Sequence, residues 1–166
     1  MTTRTVSGVS SSFARELLFP VLAVVLTVGY ADVRIPMGLP GHRGLIWLTL
    51  LVATVLTTHR RSTVLIVGAA ATVATFAVQA PVGGAGSARY LAAAVLLYAV
   101  TASVVVRRRR WLVVLAAAPI HLVALADSGL VLAGLADKAL CHLGFGLAAG
   151  AMGWVTALVV SGKGQS

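Results

Sequence analysis

Apolar residues fall in six stretches, at about residues 17–31, 45–58, 63–78, 90–106, 111–126 and 139–160, with short polar breaks between them. None of these stretches holds an Asp, Glu, Lys or Arg, and none alternates apolar and polar positions as a half-buried strand would. Helices that are apolar all round belong in lipid or in the core of a large protein. The pattern therefore predicts an all-α integral membrane protein, a compact bundle of about six transmembrane helices. Several stretches fall short of the ~20 residues that cross a bilayer upright. The second and fifth, 45–58 and 111–126, are the two spans in question. Local thinning and burial within a bundle accommodate such lengths.

The breaks carry the turns and the charge. They are His59-Arg60-Arg61, a Gly/Pro-rich run over 80–86, the basic run Arg107 to Arg110, and Asp127-Ser128-Gly129. A further apolar piece, 130–136, either simply leads to Asp137-Lys138 or forms a re-entrant half-helix. With the start of the chain inside, the inner segments hold nine Lys and Arg and the outer ones four (Arg34, Arg43, Arg89 and Lys138). The positive-inside rule then gives six spans with both ends in the cytoplasm. Residues 1–16 become a cytoplasmic tail with no signal-peptide pattern, 17–160 the six-span domain, and 161–166 a second cytoplasmic tail. The expected location is the cell membrane, multi-pass.

Composition sharpens this picture. Hydrophobic residues make up 59% of the chain, mean hydropathy is +0.99 and charged residues are 10%, against about 25% charged in soluble domains. The net charge of +9 does not point to nucleic acid, because the Arg residues sit in short clusters between apolar runs, where they orient helices. The single Cys141 allows no internal disulfide and reads as an inert thiol. Small residues at small-xxx-small spacing in the last span, Gly146 with Gly150 and Ala149 with Gly153, let helix backbones approach closely. They fit internal packing or a partner contact.

The densest polar information lies in the outer loop 30–47. It holds Asp32, Arg34, His42 and Arg43, with Pro36, Pro40, Gly38, Gly41 and Gly44 forbidding a continuous helix. One reading makes it a cap over a ligand pocket; the other makes it a plain connection whose Arg side chains meet headgroups. At the same membrane level the sequence places His121, Asp137, Lys138 and His142. Three uses of this set stay open. Arg34, Arg43 and Lys138, with His42, His121, Asp137 and His142, would bind a small, anionic organic ligand, with Trp47 and Tyr90 stacking on a ring. Alternatively His42, His121 and His142 would take a transition metal, although no His pair has helical metal-site spacing. In the third use they only anchor helix ends. No P-loop, nucleophile elbow or paired catalytic carboxylates occur. The chain is expected to be no enzyme and to need no cofactor.

Arg34-Ile35-Pro36-Met37-Gly38-Leu39-Pro40 is similar to the stretch that ends the first span in substrate-binding S components of energy-coupling factor (ECF) vitamin transporters. Asp137-Lys138-Ala139-Leu140 resembles the element that opens the last span in their biotin-binding branch. The Ala-x-x-x-Ala contact motif of that family's first span has only Ala23 and Thr27 as its nearest counterpart here. The resemblance implies a six-helix binding subunit that captures a vitamin-like solute under its outer loop. It further implies a separate membrane coupling subunit and paired ATPases as partners. The other classes left open are a non-catalytic accessory subunit of a larger membrane complex and a transition-metal uptake component.

Overall fold

A computed structural model describes residues 13–31, 33, 41–79, 87–128 and 134–162. All of the regular structure in these residues is helical. A π-helical turn, Ala14–Leu18, leads into α1 (Phe19–Ala31). Then come α2 (Gly44–Thr57), α3 (Thr63–Gln79), α4 (Ala88–Ala102), a short α5 (Val104–Arg108), α6 (Leu112–His121) and α7 (Leu135–Gly162). The long aliphatic runs make the helices, and the polar and glycine-rich breaks end them. Of the expected loop 30–47, residues 30–31 belong to α1 and 44–47 to α2. Asp32 and Arg34 to Pro40 lie outside the described residues, as do 80–86 and 130–133.

Three expectations change. The fourth apolar stretch is not one helix. Ser103 takes an extended backbone (φ −63, ψ 142), and its hydroxyl accepts from the Val106 N–H, so α4 stops and α5 restarts with a new N-cap. The fifth stretch changes type partway. Pro119 lacks an N–H for the helix ladder, and two residues after it α6 hands over to a 3-10 helix, Leu122–Ser128. The last helix also starts earlier than the sequence placed it. Residues 135–136, expected to precede the last span, and the pair Asp137-Lys138 all lie in the first turn of α7. Gly134, at φ +73, turns the chain into that helix, and its carbonyl accepts from the Lys138 N–H.

Helix α2 is the centre. Ten of its fourteen residues are buried, and α1, α3, α4, α6 and α7 all pack against it. Its threonines need hydroxyl partners in that apolar interior, and they find them on their own helix. Thr49, Thr54 and Thr57 donate to the carbonyls of Leu45, Leu50 and Ala53 at 2.6–2.8 Å. Helix α7 lies between α6 and α2. A Cβ on Gly146 or Gly150 would meet the α6 backbone, and one on Gly153 would meet Val52 and the Thr49 carbonyl. The small-residue stripe is thus spent on contacts within the chain.

Outside this core the bundle is greasy. Val25 of α1, Ile66 and Val73 of α3, Val95 of α4, Leu115 of α6 and Val155 of α7 are all exposed. Helix α7 is long and apolar enough to cross a membrane; α2, α3 and α4 are shorter apolar helices.

At the opposite end from the start of α2, Glu16 ties the π-helical turn Ala14–Leu18 to the α2–α3 corner. Its Oε1 accepts from the His59 backbone N–H at 2.7 Å and lies 2.6 Å from His59 Nδ1. The N–H bond holds the Glu16 carboxyl below its ordinary value. A depressed acid stabilises the fold above its unfolded pKa, and that contribution is lost as pH falls through the folded one. His59 is 76% exposed, so the gain is small, under ~1 kcal/mol. Glu16→Gln is expected to lower the melting temperature slightly at pH 7. The gap to wild type should close below about pH 4; a constant gap at all pH would exclude the carboxylate as its source.

Candidate functional site

The end of the bundle where α2 begins gathers an aromatic and imidazole column. Gly41, at φ +93, makes the turn before α2, and its carbonyl accepts from the Gly44 N–H at 2.9 Å. One turn into α2, Trp47 points into the interior and is 3% exposed. Its ring stacks on His121 from the last turn of α6, with centroids 5.8 Å apart and planes 4° from parallel. On another side Tyr90, from the first turn of α4, meets it edge to face at 5.6 Å. Such contacts contribute roughly 0.5–1.5 kcal/mol each beyond burial. His121 and His142 then meet, Nδ1 to Nδ1, at 3.0 Å. For that contact to be a hydrogen bond, one Nδ1 carries the proton and the other does not. Helices α2, α4 and α7 therefore begin where α6 ends, and the bundle runs up and down.

Two glycines let the chain lie down on this column. A Cβ at Gly41 would sit 3.1 Å from the His142 ring, and one at Gly44 would overlap His121 Nε2. That nitrogen is buried and has no hydrogen-bond partner. It faces a glycine C–H instead, and a buried polar atom left so calls for an explanation. Arg89 closes the other flank. Its guanidinium lies 5.0 Å from the Tyr90 ring centroid and donates to the Tyr90 hydroxyl at 3.1 Å.

The structure thus brings together four of the residues singled out in the sequence: Trp47, Tyr90, His121 and His142. His42 is half-buried in the turn beside them, whereas Arg43 is exposed. Lys138 is half-buried and Asp137 exposed, on α7 one turn before His142. Arg34 lies outside the described residues. The proposed metal set does not form: among the described residues no three His, Cys, Asp or Glu side chains are grouped to hold an ion. His121 and His142 are bonded to each other instead. The Arg89 role was missed, and so was the use of Gly41 and Gly44 as seats for imidazole rings. Their spacing, with a His-Arg pair between two glycines, was the available signal. The four rings are buried and packed on one another, a polar and aromatic seat directly beneath the turn before α2.

No protein-family model matches the chain, and no curated protein and no solved structure is significantly similar to it.

Proposed function

We propose that the chain is a multi-pass membrane protein whose six helical passes form a solute-binding subunit of an ATP-driven uptake system. The solute, a vitamin-like small molecule, is captured at the outer face beneath the loop between α1 and α2. One observation carries this reading: Trp47, Tyr90, His121 and His142, from four different helices, converge under the entry to α2. Apolar side chains on the outer faces of the helices and basic residues concentrated at the other end support the membrane placement. Arg34 and Arg43 supply the charge for an anionic solute, with the loop excluding water and strengthening each polar contact. Energy comes from a separate coupling subunit and its ATPases.

Native mass spectrometry of the gently purified protein tests this. A stoichiometric small molecule is expected, weakened about tenfold by Arg34→Ala or Arg43→Ala with the fold intact. No bound molecule, or affinity unchanged in both variants, would overturn the cap. An accessory-subunit reading has one observation in its favour, an apolar groove of about 530 Å³ between α1 and α3, lined by Leu17, Val21, Val24, Ile66 and Val67. An empty protein that always co-purifies with another membrane chain would favour it.

A further inference from the structure

The end of the bundle opposite the aromatic column holds a cavity of about 490 Å³. Its walls are basic and hydroxylic: Arg61 from the α2–α3 corner, Arg107 and Arg110 from the α5–α6 corner, Thr58, Thr101 and Ser161. Among the described residues no carboxylate lines it. Glu16 is engaged with His59, one of the lining residues. Three residues of this cavity, Leu56, Arg110 and Ser161, also wall a second hollow of about 240 Å³. That one is mostly apolar, running along Trp154, Ala157 and Leu158 of α7. Leu158 is 57% exposed, so the hollow opens sideways where lipid would lie.

A cationic, hydroxyl-lined chamber joined to a sideways apolar groove matches an amphiphile with an anionic head. Arg presents a planar fork that suits phosphate oxygens, and hydroxyls supply further donors. Trp154 lies on the groove as Trp does at membrane interfaces. We propose that this is a specific site for an anionic phospholipid, its phosphate among Arg61, Arg107 and Arg110 and one acyl chain along Trp154 and Leu158. The site rests on the membrane placement proposed above, but not on solute capture at the other end. Bound lipid would hold the α2–α3 corner, the α5–α6 corner and the end of α7 together. A free phosphate compound would use the same Arg fork but would leave the groove empty.

The test uses the full chain, purified and delipidated in detergent, with phosphatidylglycerol, phosphatidylcholine or inorganic phosphate added. Native mass spectrometry counts retained lipid, and thermal melting reads stabilisation. One phosphatidylglycerol is expected to be retained in preference to phosphatidylcholine. Arg107→Gln with Arg110→Gln should weaken it about tenfold, as should Leu158→Trp, which fills the groove. Arg108→Gln with Arg109→Gln removes the same charge from residues that do not line the cavity, and should leave retention near wild type. Equal retention of both lipids, or equal loss in the two double variants, would overturn the site in favour of diffuse attraction. Stabilisation by inorganic phosphate that matches the lipid and ignores Leu158→Trp would overturn the lipid in favour of a soluble ligand. Release of the protein from cell membranes by alkaline carbonate would instead refute the membrane placement, independently of the lipid comparison.

Discussion

Gly44→Ala is expected to destabilise the protein by about 2–3 kcal/mol and to break the contact between His121 and His142. In an ordinary helix the same change would stabilise by about 0.5–1 kcal/mol. Here the added methyl would overlap His121 Nε2. The imidazole has no free direction in which to retreat. Trp47 covers one face of it and His142 holds its Nδ1, while the residue itself is fully buried. Either the ring leaves its stack or the start of α2 lifts, and both open the column. Thermal melting in detergent reads the loss. Nitrogen-15 spectra of labelled histidine read the Nδ1 contact directly.

His121→Ala makes the room that the methyl needs. The Gly44→Ala, His121→Ala double variant should therefore be less destabilised than the sum of the two single changes, with a coupling of about 1–2 kcal/mol. Additive losses would mean that Gly44 and His121 do not touch. If solute binds under the loop, Gly44→Ala should abolish it as well, because Trp47 and the two histidines lose their common alignment.

The helices could be read from the chain because aliphatic runs and their interruptions are local. The apolar stretch 45–58 became α2, Gly44–Thr57, and 63–78 became α3, Thr63–Gln79. The Ser103 break was hidden, since a serine amid valines and alanines carries no strong helix-stopping signal until its hydroxyl caps the next turn. Pro119 was visible, but its consequence, a change of helix type two residues later, depends on how the freed carbonyls find new partners. In the candidate site, Trp47, Tyr90, His121 and His142 stood out as polar or aromatic positions inside apolar runs. Which of them touch was not legible. That depends on α2 meeting α6 and α7 closely enough for Gly41 and Gly44 to rest on imidazole rings. Arg43, between the two glycines, is exposed rather than packed among the rings.

The last helix offers the sharpest contrast within one element. Gly150→Ala is expected to cost about 1–3 kcal/mol, with Gly146→Ala similar, whereas Gly144→Ala should be neutral or stabilising by up to about 1 kcal/mol. All three are glycines in α7, so helix propensity favours alanine equally at each. Their surroundings differ. A Cβ at Gly150 would lie 2.7 Å from the Val114 carbonyl and 2.9 Å from its Cα, and at Gly146 it would lie 2.7 Å from the Ala117 carbonyl. These obstacles are α6 backbone, which cannot rotate away as a side chain would. At Gly144 nothing lies within 4 Å. Melting of the three single variants side by side measures the seam between α6 and α7. The seam also sets the depth of His142 against His121, since both lie about one turn from Gly146 and Ala117. Gly146→Ala should accordingly perturb the histidine spectra more than Gly150→Ala does at equal loss of stability. Equal melting temperatures for all three would show that α7 does not pack on α6 through its glycines.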